Sequence, residues 1–239
     1  FKQKTAYEIR NCDWSSDVCS SDLAILAYEG GVYLDTDTIT WRDLSPLRER
    51  TSAFCGNERI TLPVNVKRSR NPLIRGRALG QGIARDIFRR LPNGWRTFRA
   101  IEPMYPLAVN NAVLGSTSNH PFVMALLNAM VALPPGKRKV RFSLGTHLLR
   151  QQVARYRGDD LEVHPPEVFF PLGPEISQHW FRGGTATKLN ELLSEKTMVI
   201  HWYASVRTQS IVPTLSPETI RANRNTNALC KMASEFLDP

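Results

Sequence analysis

The sequence predicts an α/β fold, and three observations carry that expectation. Short apolar runs of strand length alternate with stretches of helical period, and glycine, proline and Ser/Asp clusters punctuate them. A pair of aspartates then falls where one apolar run ends, the usual place for chemistry in an α/β fold. The 239 residues are 42% apolar and 22% charged, enough for one sizeable core and too few for two comfortable domains. A mean hydropathy of -0.29 and the lack of a long uncharged apolar run argue against a membrane span, and near-average apolar content argues against disorder.

Residues Phe1 to Leu23 stand apart from the rest. Asp13 to Leu23 reads as the translation of a common short-read library adapter, and Phe1 to Glu8 as the outer part of the same oligonucleotide. Ile9 to Cys12 leave room for a barcode that keeps the frame open. The expectation is therefore a translated artefact over 1–23 and a single native domain over 24–239, incomplete at its N-terminus. Cys12 and Cys19 then leave the count, and Cys55 and Cys230 alone fit a reduced compartment. The matching localisation is cytoplasmic.

From Ala24 the elements follow in order. Ala24 to Glu29 reads as the last turns of an amphipathic helix, ended by Gly30-Gly31 as C-cap and turn. Val32-Tyr33-Leu34 is a short buried strand that delivers Asp35-Thr36-Asp37 at its end. Strands are expected at Ser52 to Gly56 and Leu107 to Leu114, and helices at Pro121 to Leu133 and Gly145 to Tyr156. Glu162-Val163 and Phe169-Phe170 suggest short strands about Pro165-Pro166, and Thr197 to Trp202 reads as a buried strand. Ser216-Pro217 opens a final helix with proline at its first position.

Charge is concentrated. The chain holds 31 Lys and Arg against 22 Asp and Glu, a net +9, and eleven of those bases lie between Arg59 and Arg99, where Asp86 is the only acid. Ile83, Ile87, Phe88 and Leu91 fall at helical spacing, so the block reads as a basic insertion (59–99) holding an amphipathic helix with an Arg-rich outer face. The readings are a solvated helix face, a surface for an anionic glycan acceptor, or peripheral attachment to an anionic inner-membrane leaflet. Only Phe88, Trp95 and Phe98 interleave with the bases, which argues against nucleic acid.

Two carboxylates at i and i+2 beyond a strand end can share one divalent cation, or one can hold a sugar hydroxyl while the other ligates the metal. Hard oxygen donors suit Mn²⁺ or Mg²⁺, which neutralise the diphosphate of a nucleotide-sugar leaving group. The string Tyr28-Glu29-Gly30-Gly31-Val32-Tyr33-Leu34-Asp35-Thr36-Asp37 resembles the Y-G-G-x-Y-x-D-x-D signature of glycosyltransferases with a DXD sugar-binding region, the family of initiating α-1,6-mannosyltransferases and globotriaosylceramide synthase. Four later segments are similar to that family's in the same order. They are Asn110 to Gly115 with His120-Pro121-Phe122, Gly145 to Leu149 with Thr146 in place of a proline, Pro165 to Pro171, and Val199-Ile200-His201-Trp202.

The resemblance implies a GT-A fold, a nucleotide-sugar donor, Mn²⁺ or Mg²⁺, and retaining transfer of a hexose to a glycan or glycolipid acceptor. It assigns Gly30, Gly31, Tyr33 and Asp35 to the donor, with Asn111 and Gly115 lining the donor or acceptor pocket. Asp37 becomes a metal ligand, with Asp35 able to share the ion. His201 is a metal or diphosphate ligand or else a core histidine, Trp202 and Tyr203 are sugar-stacking or core aromatics, and His120 caps the helix that follows it. The family's strand-rich first half precedes its Gly-Gly signature, so the chain as written is expected to have little activity and an exposed sheet edge. Two other readings compete. One is a non-catalytic protein binding anionic glycan or membrane through the basic block. The other is a D-x-D-x-T phosphatase with Asp35 as nucleophile and Asp37 as acid/base, which Gly158-Asp159-Asp160 matches only in part and Gly30-Gly31 interrupt.

Overall fold

Strands and helices alternate along the chain in the computed structural model, which describes residues 16–61, 69–134, 145–182, 189–204, 206, 208 and 210–237. The expected adapter residues 1–15, and Lys67 and Arg68 of the basic block, lie outside them. The helices are α1 (Ser16–Glu29), α2 (Ser45–Arg50), α3 (Pro72–Arg90), α4 (Gly94–Ile101), α5 (Pro121–Val131), α6 (Thr146–Arg155), α7 (Pro166–Phe169), α8 (Leu189–Leu192), α9 (Pro217–Ala222) and α10 (Ala228–Leu237). The strands are β1 (Gly31–Leu34), β2 (Thr38–Thr40), β3 (Ala53–Arg59), β4 (Leu107–Ser116), β5 (Leu161–His164) and β6 (Val199–His201). One sheet has the order β1-β4-β3-β5 and a second pairs β2 with β6, so the α/β class holds. Two compact units share the chain, one of Phe1–Leu34, Leu44–Gly56 and Val109–Val163, the other of Asp35–Asp43, Asn57–Ala108 and His164–Pro239.

In the first unit α1 ends as its sequence requires. Gly30 adopts φ +74, its N–H bonds Leu26 O at 3.0 Å, and a Cβ there would meet Ser118 N at 2.7 Å. The last carbonyls of α1 are taken by Asn119 N, 2.7 Å from Ala27 O, and Ser118 Oγ, 2.6 Å from Tyr28 O. Leu23, Leu26 and Ala27 then pack with Phe122, Val123, Leu126 and Met130 of α5 and Leu148 and Leu149 of α6. Leu23, the last residue of the expected adapter, is thus a core residue. β1 runs antiparallel to β4 with Tyr33 opposite Leu114 and ends the strand order, half-buried rather than fully buried. His120 caps α5 as expected, its Nδ1 accepting from Phe122 N at 3.2 Å.

The second unit has its own core of Trp95 and Phe98 from α4, Leu172, Ile176, Trp180, Leu192, Ile200 of β6, and Leu229 and Met232 of α10. Phe169-Phe170, expected as a strand, is instead the end of the single turn α7. Pro166 stands at its first position, where proline's fixed φ starts a helix, and both phenyl rings are fully buried. Ser216 caps α9 through its side chain, as expected, but α10 follows, so α9 is not the last helix.

The basic block holds the helix α3, whose faces match expectation only in part: Phe88 packs on the second core and Arg75, Arg77 and Arg90 are exposed, but Ile83 and Ile87 are exposed too. Arg85 and Arg89 turn inward. Arg85 pairs with Glu175 at 3.2 Å, and Asp86 accepts from Arg89 Nη2 at 2.7 Å. Leu79, Ile83 and Ile87 face outward, 65%, 52% and 50% exposed. Inward arginines are tolerable because Glu175 and Asp86 neutralise them and their long stems cover apolar surface.

Gly115 of β4 lies under the fully buried Phe54 ring, where a Cβ would come within 2.2 Å of ring carbons. We expect Gly115→Ala to lower stability by about 1–3 kcal/mol, because neither ring nor strand can give way. Gly76, in α3 with nothing within 4 Å of its would-be Cβ, should respond oppositely, Gly76→Ala stabilising by about 0.5–1 kcal/mol. Urea unfolding of the two variants checks both.

Candidate metal centre

β2 and β6 pair antiparallel with Thr38 opposite His201, Ile39 opposite Ile200 and Thr40 opposite Val199. That register sets Asp37 beside Trp202, whose N–H donates to Asp37 O at 3.0 Å. Residues far apart in sequence thereby meet: His201 Nε2 lies 3.0 Å from Asp37 Oδ1, and Ala204 N–H donates to Asp37 Oδ2 at 2.7 Å. Asp35 stands one turn earlier, its carbonyl accepting from Thr38 Oγ1 at 2.7 Å. One donor atom from each of Asp35, Asp37 and His201 can be chosen so that all lie within 4.8 Å of one another, a spacing that could hold a metal ion.

His201 is both a core and a site histidine. It is 5% exposed, on a fully buried strand, and still reaches Asp37. Tyr203 shapes its surroundings. At φ +58 it reverses the chain, which brings Ala204 N–H to Asp37 and lays its own ring 4.0 Å from the imidazole, centroid to centroid. The Tyr203 hydroxyl donates to the buried Glu58 carboxylate at 2.8 Å, and Thr208 Oγ1 lies 3.0 Å from Tyr203 O and 2.6 Å from Ala204 O, pinning the turn. Phe170 approaches the imidazole edge-on at 5.8 Å. Tyr203 is therefore a core aromatic, and Trp202 packs edge-on against Phe181 at 5.7 Å.

Electrostatics keep Asp37 ionised. Burial alone pushes its pKa up, but the hydrogen bond and charge of His201 and the Ala204 N–H outweigh it and hold the carboxyl below its ordinary value. The Tyr203 phenol is pushed well above its ordinary value by burial and then by the Glu58 charge, so it stays a donor.

Two carboxylates and an imidazole, one of them an anion already relieved of its proton, are a fitting donor set for Mn²⁺ or Mg²⁺. His201 Nδ1 is buried without a hydrogen-bond partner among the described residues, so packing of Tyr203 and Phe170, rather than an outer hydrogen bond, orients the ring.

The remaining expected residues lie in the first unit. Gly30 and Gly31 edge a cavity of about 450 Å³ with Ser45, Arg48, Thr51, Ser52 and Ser116 to Ser118. Tyr33 and Asn111 line a smaller, mostly apolar cavity with Leu26, Leu114 and Leu149, and Thr146 Oγ1 donates to Asn111 Oδ1 at 3.2 Å. Gly115 faces the Phe54 ring. Asp160, the partial match to a phosphatase acid, accepts from Tyr156 OH at 2.6 Å and stands 3.0 Å from His120 Nε2, a structural network about the start of α5. From the sequence, Tyr203 is only a sugar-stacking or core aromatic, and Ala204, Glu58 and Thr208 are missed altogether. No local pattern marks those three, because strand register and the turn at Tyr203 bring them together.

No family model, curated protein or solved structure matches the chain.

Because the folded pKa of Asp37 is depressed, its bonds stabilise the fold in full above the ordinary value of 3.8, and that contribution is lost as pH falls through the lower folded value. In urea unfolding between about pH 6 and about pH 2.5, we expect the stability gap between the wild type and Asp37→Asn to narrow as pH falls. A gap independent of pH would mean that the Asp37 charge adds nothing to the fold.

Proposed function

We propose that the chain is a metal-dependent glycosyltransferase of GT-A type that moves a hexose from a nucleotide-sugar donor to a glycan or lipid-linked acceptor, with retention, in polysaccharide or glycolipid synthesis. One observation carries the reading: Asp35 and Asp37 of the D-x-D string share one group with His201, the histidine of the last segment that resembles the family. A bound Mn²⁺ or Mg²⁺ supplies the positive charge that a departing nucleoside diphosphate needs.

The chain's own residues prepare that place. Ala204 N–H and His201 fix the Asp37 carboxylate in one orientation before any ligand arrives, which removes an ordering cost from binding. Asp35, on the loop between β1 and β2, is partly exposed, outside the β2–β6 pairing and part of the same donor group, suited to a sugar or ribose hydroxyl or to sharing the cation. The packed Tyr203 and Phe170 rings keep water from one side of the imidazole.

The test is Mn²⁺ titration followed by electron paramagnetic resonance, alongside hydrolysis of a panel of nucleoside-diphosphate hexoses. We expect Mn²⁺ affinity to fall at least about tenfold in Asp35→Ala and Asp37→Asn, with circular dichroism unchanged and with whatever donor hydrolysis the wild type retains lost in both. Mn²⁺ binding unaffected by either substitution would overturn the assignment.

A further inference from the structure

The outward face of α3 has no part in the metal centre, and its chemistry is unusual for a solvent-facing helix. Leu79, Ile83 and Ile87 recur every fourth residue, 65%, 52% and 50% exposed, with Leu73 at 80% near one end and Leu91 at 46% just past the other. A helix of this length runs about 28 Å, so these side chains form one continuous apolar stripe. Gly76 and Gly80, with open space where a Cβ would stand, interrupt it with no polar group. Exposed Arg75 and Arg77 flank the stripe, Arg77 donating to Met104 O at 2.9 Å, exposed Arg90 stands at its C-terminal end, and Asp86, the only acid of the helix, is taken by Arg85 and Arg89.

An apolar stripe bordered by exposed arginines is the chemistry of a helix lying in the interface of an anionic bilayer, where acyl chains take the leucines and lipid headgroups take the guanidinium groups. We propose that α3 is an in-plane membrane anchor, with Leu79, Ile83 and Ile87 seated in an anionic leaflet and Arg75 and Arg90 on its headgroups. No described helix is long and apolar enough to cross a membrane, so α3 lies on the surface rather than spanning it. A second copy of the chain is the poorer occupant. Antiparallel pairing of two α3 helices about Ile83 sets Arg75 of one near Arg90 of the other, with no acid on the stripe to relieve them. The anchor is independent of the metal centre and stands or falls without it.

The test is co-sedimentation of the full chain with vesicles of phosphatidylcholine alone or mixed with phosphatidylglycerol, with dextran sulfate as a soluble polyanion. The expected result is binding to the phosphatidylglycerol vesicles only, weakened by salt. Binding should fall at least about tenfold in Ile83→Glu, and also in the paired change Arg75→Gln with Arg90→Gln. All three side chains are exposed, and unchanged circular dichroism confirms that the variants fold. Dextran sulfate binding that matches vesicle binding, with Ile83→Glu silent in both, would overturn the anchor in favour of a polyanion surface. A lipid-independent dimer on gel filtration that Ile83→Glu dissolves, without vesicle binding, would overturn it in favour of self-association.

Discussion

The three-residue pairing of β2 with β6 is the constraint on which the candidate centre depends. It is short, yet its register decides that Asp37 lies beside the end of β6 and that His201 can reach it. A slip by one residue would turn every β6 side chain to the other face and carry His201 away from both aspartates. Three features hold the register. Ile200 is buried in the second core, Met198 N bonds Val168 O at 2.9 Å, and the left-handed Tyr203 ends the strand at a defined point.

Tyr203 links packing to electrostatics. A non-glycine residue at φ +58 is costly, and it persists because the buried ring, the bond to Glu58 and the Thr208 hydroxyl over-determine the turn. The return is local: Ala204 N–H points at Asp37, and a carboxylate that burial would neutralise stays charged. The strain, the low pKa and the donor cluster are therefore one arrangement.

The basic block follows a different logic. Arginine is usually assigned to solvent, yet α3 buries Arg89 against Asp86, half-buries Arg85 against Glu175, and leaves branched apolar residues outside. Helical period alone identifies two opposed faces without saying which one meets the core, and the acid at position 175 settles it from a distant part of the chain.

Much of the local structure was legible in the sequence. The Gly30-Gly31 stop, the strand before Asp35, the His120 cap of α5 and the Ser216-Pro217 start of α9 all rest on backbone chemistry within a few residues, which a sequence displays directly. The D-x-D pair was likewise readable as carboxylates spaced so that they could hold a cation. Tertiary structure alone decided that His201, offered by the resemblance as either a ligand or a core histidine, is buried and still reaches Asp37, that Tyr203, Ala204, Glu58 and Thr208 surround that contact, that Phe169-Phe170 end a helical turn, and that α3 turns its leucines outward. Each of these depends on which distant segment lies alongside, through strand register, burial or charge pairing across a hundred residues or so, and local periodicity carries no information about such partners.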